Sequence, residues 1–167
     1  MRYLNKIVFI NSDAIRYSEV QLDGNIHLIG TQGVGKSTIL RAILFFYNAD
    51  TQRLGIPVEK KSYQDYYFPY ADSSIIYEVA REDGWFTVLS YKTMNRICYR
   101  FIASPYRPDL FIDEEGAPYP SDRIRSVLDK NGIKYSGAIS TYEEYRNILY
   151  GNSDNKRDYS CYSLMES

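Results

Sequence analysis

The stretch Gly30-Thr31-Gln32-Gly33-Val34-Gly35-Lys36-Ser37-Thr38 decides the fold class that we predict for this chain. It matches the pattern G-x-x-x-x-G-K-[ST], in which a glycine-rich loop joins a strand to the first turn of a helix. The flanking residues fit this context, because the strand-like segment 25–29, with Ile26, Leu28 and Ile29, precedes the loop and the mostly apolar run 39–46 follows it. Motif and context together predict a strand–loop–helix unit that binds phosphate.

Each position of this Walker A loop has a physical reason. Its glycines let the backbone approach a phosphate closely, because no Cβ stands in the way. Successive backbone N–H groups form a concave anion site, and the helix beginning at Lys36 adds its positive N-terminal end. We expect Lys36 to reach the β- and γ-phosphates, Ser37 to ligate Mg²⁺ and Thr38 to donate to the α-phosphate. The predicted binding residues are Gly30, Thr31, Gln32, Gly33, Val34, Gly35, Lys36, Ser37 and Thr38.

Antiparallel strands are predicted around this unit. The segments 6–10 and 17–22 are rich in β-forming residues, and Asp23-Gly24 is a hairpin turn signal before a strand at 25–29. The helix after the loop, from 37 to about 47, is apolar nearly all round, so we expect it to be buried against a sheet. Further short β-type segments, which predict an antiparallel meander, lie at 74–79, 85–91, 96–102 and 110–113.

Two helices and a polar tail are predicted at the C-terminal end. Ser121 can cap a helix that ends at Asn131-Gly132. Thr141-Tyr142-Glu143-Glu144 is a capping box that begins a second helix, which Gly151 ends. From Asn152 the chain is polar and without periodicity, so we expect this tail to be disordered.

Composition narrows the class of protein. The chain has 167 residues, enough for one domain with a core, and its net charge of −1 gives no overall attraction to nucleic acid or to an anionic membrane. No apolar run approaches the ~18 residues of a membrane span, and the N-terminus lacks a signal-peptide core. Cys98 and Cys161 have no metal-ligand spacing. These features predict a cytoplasmic protein that does not act in a membrane.

Tyrosine is unusually frequent, at 18 of 167 residues. Its apolar ring and polar hydroxyl suit half-buried strands and interfaces, so sheet packing is the main interpretation. Stacking on nucleic-acid bases is the alternative.

Hydrolysis of a bound triphosphate needs a carboxylate at the end of a neighbouring strand. Asp113 and Glu114 are the candidates, because they follow the apolar run 110–112 as in a Walker B strand. The run is short and continues as Glu115-Gly116, which favours a hairpin turn with an exposed end. The sequence contains no Leu-Ser-Gly-Gly signature and no Ser/His/Asp or Cys/His site.

This organisation resembles the N-terminal half of an ABC-type ATPase head of the SMC, RecF, RecN, MukB and Wadjet JetC group, which are AAA-type ATP-binding proteins. In that group an antiparallel hairpin precedes a loop of the form G-x-N-G-x-G-K-S, and here Gln32 replaces the asparagine. The segment 112–119, the helix predicted at 121–131 and Asn131-Gly132-Ile133 are similar to later elements of such heads, which places Asp113 in a hairpin. The resemblance covers residues 1–151.

The resemblance implies an α/β P-loop NTPase fold, which is half of an ABC-ATPase-like head. Its parts are an N-terminal β-hairpin, a P-loop helix, an antiparallel β-subdomain and two C-terminal helices. It implies ATP, rather than GTP, together with Mg²⁺. Walker B, the signature and the catalytic glutamate belong to a C-terminal lobe beyond a coiled coil. We therefore expect a fragment of a longer ATPase, in which residues 1–151 form the lobe and residues 152–167 are a disordered tail or the start of the coiled coil.

The implied partners are a C-terminal ATPase lobe on the same or a separate chain, a second head paired through ATP, and DNA bound by the assembly. The implied processes are DNA maintenance, repair or anti-plasmid defence. The resemblance also suggests basic residues near phosphate or DNA at Arg53, Lys60 and Lys61, and adenine contacts at Asn11, Ser12 or Arg16. No glutamine stands at Tyr150-Gly151, where such heads carry their Q-loop.

Two other functions stay open at this point. The chain could be a complete small P-loop NTPase or kinase that uses Asp113 and Glu114 as its Walker B carboxylates. It could also be an interaction module whose tyrosine-rich sheet binds a partner, with nucleotide only as a regulator.

Overall fold

The computed structural model describes residues 1–22, 35–48, 67–94, 96–152 and 159–165. Within these residues the chain forms a mixed α/β fold of five strands and three helices. The strands are β1 (Tyr3–Ser12), β2 (Ile15–Gln21), β3 (Ser74–Arg81), β4 (Gly84–Thr93) and β5 (Arg96–Ile102). The helices are α1 (Lys36–Asn48), α2 (Ser121–Lys130) and α3 (Tyr142–Leu149), and short 3-10 helices lie at Pro108–Leu110 and Ser160–Tyr162.

The five strands form one antiparallel sheet in the order β2-β1-β3-β4-β5. β1 lies inside the sheet, where Ile10 is opposite Tyr17 of β2 and Ser74 of β3. β-Branched and aromatic residues dominate β1 and β3, as is usual for strands inside a sheet. The predicted antiparallel meander is confirmed for its first three segments, which form β3, β4 and β5. The sheet also contains the β1–β2 hairpin, whose pairing the sequence analysis did not predict.

The turn between β1 and β2 is at Asp13-Ala14. Asn11 and Asp13 have positive φ values of 46° and 51°. Asparagine and aspartate adopt this left-handed conformation more readily than most residues, so the sequence suits a tight reversal here. The predicted Asp23-Gly24 turn and the strand predicted at 25–29 lie outside the described residues.

Side chains cover the sheet on both faces, because successive residues of a strand point to opposite sides. In β1, Ile7 and Phe9 belong to a core cluster that also contains residues of α1 and α3. Val8 and Ile10 belong to a second cluster, which contains residues of α2 and of the 3-10 helix at Pro108–Leu110. We call these two sides the α1 face and the α2 face.

Tyrosines supply much of the core. Five of them are among the largest fully buried side chains: Tyr67, Tyr77, Tyr99, Tyr145 and Tyr162. The rings of Tyr99 and Tyr145 are stacked, with centroids 4.3 Å apart. For these residues the predicted packing role is confirmed.

The strand predicted at 110–113 is wrong. Pro108 begins a 3-10 helix, because its fixed φ suits a first helical position and the Leu110 N–H donates to Arg107 O at 3.1 Å. Within the segment 110–113, Ile112 alone makes a β-bridge, which is an isolated one to Pro118. The turn that follows at Asp113 to Gly116 agrees with the predicted hairpin.

The two predicted C-terminal helices are present with one change at a helix start. Thr141 caps α3 as predicted, since its hydroxyl accepts from the Glu144 N–H at 3.2 Å. Ser121 is not a cap, because the cap position belongs to Pro120 and Ser121 is the first helical residue. Beyond the C-cap of α2, Gly132 has a φ of 66°, which is the left-handed stop expected of glycine.

Residues 159–165 differ from the expectation of a disordered tail. Tyr162 is fully buried in the α1-face core, and Tyr159 is nearly so. The Leu164 N–H donates to Leu149 O at 2.8 Å, and the Arg81 guanidinium donates to Ser160 O at 2.6 Å. The expectation failed because two tyrosines three residues apart are enough to anchor a segment that looks polar overall.

Candidate phosphate-binding site

Four residues of the predicted loop, from Gly35 to Thr38, are described, and α1 begins among them at Lys36. The Ile39 N–H donates to Gly35 O at 3.2 Å, which closes the first turn. Lys36 and Ser37 are exposed, and Thr38 is half-buried. Gly30, Thr31, Gln32, Gly33 and Val34 lie outside the described residues. The predicted lysine and hydroxyl groups therefore share one accessible helix end.

α1 is fixed to the sheet by its apolar side. Ile39, Phe45 and Phe46 are fully buried on the α1 face. The Tyr77 hydroxyl donates to Ala42 O at 2.9 Å, and the Tyr145 hydroxyl donates to Phe46 O. Burial raises the pKa of Tyr145 well above its ordinary value, so this hydroxyl keeps its proton and remains a donor.

The N-terminal end of α1 has the electrostatics of an anion site. The first N–H groups of a helix have no acceptor in a preceding turn, and the helix dipole places partial positive charge there. No acidic residue lies in this first turn, so no carboxylate of α1 opposes an incoming anion. A Cβ added to Gly35 would meet no atom within 4 Å, so packing alone does not require glycine at that position. The arrangement can hold a phosphate close to the backbone.

A hydrogen-bonded path links α1 to the β1–β2 turn, and the sequence did not predict it. Arg41 Nη1 donates to the Tyr67 hydroxyl at 3.3 Å, and Tyr67 O accepts from the Ser12 hydroxyl at 2.7 Å. Asn11 O accepts from the Ser73 hydroxyl. Arg41 was the available signal, because it is the one charged residue between Lys36 and the end of α1.

This path bears on the residues suggested for adenine. Asn11 and Ser12 both bond the segment around residues 67–73, through the Asn11 carbonyl and the Ser12 hydroxyl, and Ser12 is fully buried. Arg16 lies exposed on β2. Of the three side chains, that of Arg16 is exposed and that of Asn11 is half-buried, so both are accessible to a ligand, whereas that of Ser12 is not. The suggested basic residues Arg53, Lys60 and Lys61 lie outside the described residues.

Asp113 and Glu114 lie in a different layer from Lys36. Asp113 closes a turn, in which its Oδ1 accepts the N–H groups of Glu115 and Ala117, both at 2.9 Å. The preceding Leu110 and Phe111 are buried on the α2 face, whereas α1 packs on the α1 face. Glu114 is exposed to solvent. The fold does not bring these carboxylates to the helix end that carries Lys36 and Ser37.

One side of α1 is apolar and exposed, contrary to the prediction of a helix buried all round. Leu40, Leu44 and Tyr47 are 44%, 50% and 39% exposed, and they recur every three or four residues. This spacing places them on one side of the helix, away from the sheet. We call this surface the α1 stripe. The sheet buries only one side of this almost wholly apolar helix.

Several other site classes find little support in the described ranges. Their His, Cys, Asp and Glu residues form no group of three that could hold a metal ion. Cys98 and Cys161 are free thiols, and burial raises the pKa of Cys98. None of the helices in these ranges has the length and apolar character needed to cross a bilayer.

Comparison with protein families gives a match over most of the chain. A family model described as "Protein of unknown function (DUF3584)" matches residues 14–162, which is most of the chain. No curated protein and no solved structure matches the chain. The matched range contains the whole predicted phosphate-binding loop and the three helices α1, α2 and α3 of the described residues.

Proposed function

We propose that this chain, which belongs to the DUF3584 family, is the ATP-binding lobe of an SMC-like ATPase with a P-loop NTPase fold. One observation carries the proposal: a helix anchored in the core presents Lys36 and Ser37 at its exposed N-terminal end, directly after the glycine-rich loop. In this role residues 30–38 hold the triphosphate, and the Lys36 ammonium stabilises charge on its outer phosphates. The assembly acts in the cytoplasm on DNA maintenance, repair or anti-plasmid defence.

The described residues fit a magnesium nucleotide. Mg²⁺ in nucleotide sites commonly takes one or two protein oxygens and completes its shell with phosphate oxygens and water. The exposed Ser37 hydroxyl, one residue after Lys36, is such an oxygen. When bound, the ion offsets the negative charge of the phosphates, while Lys36 and the first-turn N–H groups orient them.

The remaining catalytic groups come from a partner in this proposal. Asp113 and Glu114 lie away from the helix end, so a C-terminal lobe of the same or a separate chain supplies the carboxylate that activates water. The α1 stripe supports such a partner, because an apolar stripe opposite the sheet is suited to burial by a second layer. A second head then encloses the nucleotide, and DNA binds to the complete assembly.

The test is nucleotide affinity of the whole chain, measured by titration with ATP and Mg²⁺. Lys36→Ala should weaken binding about 10- to 100-fold, because hydrogen bonds to charged groups contribute about 1.5–3 kcal/mol. Lys130→Ala, which removes an exposed lysine from the far end of α2, is the matched control and should change nothing. Equal affinity of the Lys36→Ala variant and the wild-type chain would refute the proposal.

A complete small NTPase is the second candidate, and Asp113→Asn separates it from the first. If Asp113 were a Walker B carboxylate, the substitution would abolish magnesium-dependent turnover. We expect no effect on nucleotide binding, and negligible turnover by the chain alone before and after the change. Robust hydrolysis that depends on Asp113 would favour this candidate instead.

A further inference from the structure

A cavity of about 310 Å³ lies on the α2 face, between the adjoining ends of β3 and β4 and the start of α2. Its floor is formed by Leu89, Phe111 and Ile124, which belong to the α2-face core. No residue of α1 lines it. The cavity is therefore separate from the candidate phosphate-binding site.

The walls of the cavity combine aromatic rings with polar groups. Tyr91 and Tyr119 are half-buried wall residues, and the Arg123 guanidinium is 5.7 Å from the centroid of the Tyr119 ring. Lys92 and Asp72 also line the cavity. Empty spaces inside protein cores are lined by apolar groups alone, whereas ligand sites combine an apolar floor with a few polar groups. The lining of this cavity is therefore typical of a ligand site.

The rim carries large apolar side chains that the fold leaves open. Met94, which lines the cavity from the β4–β5 turn, is 91% exposed and has a positive φ of 53°. Tyr70, next to the lining residue Ala71, is 59% exposed. The φ of Met94 is the one that a two-residue turn between the paired Thr93 and Arg96 requires, and the turn leaves the Met94 side chain in solvent. The rim thus offers apolar contact area beyond the cavity itself.

We propose that this cavity binds a small, neutral, planar aromatic molecule with a hydrogen-bonding group on its ring edge. The apolar floor accommodates the ring, and the two tyrosines can contact it in stacked or edge-to-face geometry. Lys92 and Asp72 carry opposite charges at the same cavity, so this pair adds no net charge that would select an ion of either sign. The volume lies at the lower end of the range for ligand sites, about 300–1,000 Å³, which limits the ligand to one or two rings.

The test uses indole as the probe, with cyclohexanol as an aliphatic probe, and follows the amide and methyl NMR signals of the whole chain. Indole should shift the signals of Leu89 and Ile124 in a saturable way. It should bind at least about threefold more tightly than cyclohexanol, which matches the extra contribution of an aromatic pair. Tyr119→Ala should weaken indole binding about tenfold. Trp85→Ala, at the opposite end of β3 and β4, should not.

Ser121→Trp is a second variant, which adds bulk to a lining residue and leaves the aromatic wall intact. If circular dichroism shows that Tyr119→Ala does not fold, the indole affinity of Ser121→Trp is the test of the proposal. Both Tyr119→Ala and Ser121→Trp should weaken indole binding. The proposal would be overturned if either variant, while folded, bound indole as tightly as the wild-type chain. It would also be overturned if indole did not shift the signals of Leu89 and Ile124. Lys36→Ala should leave indole binding unchanged, so this result does not depend on the nucleotide site.

Discussion

The α1 face and the α2 face of the sheet carry helices whose outer sides differ in chemistry. Every exposed residue of α2 is polar, whereas the exposed side of α1 carries the α1 stripe. The α2 face also buries polar groups with their partners: Glu78 accepts from Asn5 Nδ2 at 2.8 Å and from the Tyr106 N–H at 2.7 Å. The outer side of α2 suits water, while that of α1 suits a further protein layer. The exposed apolar stripe thus lies on the same helix as the candidate phosphate-binding site.

The largest expected effect separates the two cores. Phe46→Ala on α1 should cost about 3–5 kcal/mol of unfolding free energy, and Leu128→Ala on α2 about 2–5 kcal/mol, because both side chains are fully buried. Only Phe46→Ala should also weaken ATP binding, because Phe46 holds the helix that carries Lys36. Urea unfolding and nucleotide titration of both variants give the comparison. An equal loss of ATP affinity in the two variants would contradict the expected difference between the two faces.

A smaller effect compares hydroxyl residues at the starts of α3 and α2. Thr141→Ala should cost about 0.5–2 kcal/mol, since it removes the capping acceptor for the Glu144 N–H. Ser121→Ala should be close to neutral, because the α2 start has no side-chain cap. Thermal unfolding of both variants is the measurement. A larger loss of stability from Ser121→Ala than from Thr141→Ala would contradict the assignment of a side-chain cap to α3 and not to α2.

The α1 stripe itself should contribute little to the stability of the isolated chain. Leu44→Ser should change the unfolding free energy by no more than about 0.5 kcal/mol, as for most surface substitutions. It should also reduce the fluorescence of a hydrophobic dye bound to the chain. The same change at buried Leu128 should be strongly destabilising. A cost for Leu44→Ser as large as that for Leu128→Ser would show that the stripe is already covered.

The smallest effect concerns the acid stability of the contact that holds the tail on the α1 face. Arg2 pairs with Glu82 at 2.7 Å and also donates to Ser163 O, and its hydrogen bonds lower the pKa of Glu82 to about 2 from 4.5. A lowered folded-state pKa stabilises the fold fully above pH 4.5, and this contribution is lost as the pH falls through about 2. The Tm difference between wild type and Glu82→Gln should therefore be present at pH 6 and vanish near pH 2. A difference that grows on acidification would contradict this assignment.

Local patterns predicted the parts of this fold that depend on neighbours in sequence. Short segments rich in β-forming residues located β3, β4 and β5, and the capping box located α3 at Thr141. The pairing of β1 with β3 was not predictable in this way, because it joins residues about 70 positions apart, for example Ile7 and Tyr77. The position of Tyr162 in the core has the same origin, since its contacts Phe86 and Phe101 come from distant strands.

In the candidate site, too, the features that are local in sequence were predicted, and those that join distant segments were not. A contiguous motif identified Lys36 and Ser37, because the loop and the helix start are local in sequence. The link from Arg41 through Tyr67 to Ser12 could not be predicted, since it depends on three segments meeting in space. For Asp113 the sequence pattern favoured a turn over a strand end, and the hydrogen bonds of its Oδ1 confirm the turn. The packing of the preceding Leu110 and Phe111 on the face opposite α1 was not predictable, because it depends on the order of layers in space.

The central claim is that an anion binds at the start of α1, and a titration with ATP and Mg²⁺ observed by amide NMR tests it most directly. The amide signals of Gly35, Lys36, Ser37 and Thr38 should shift together and saturate. Pyrophosphate should produce the same pattern, because the helix end recognises phosphate rather than the base. The signals of Glu115 and Ala117, next to Asp113, should stay in place. Saturable shifts around Asp113, with none from Gly35 to Thr38, would contradict the claim.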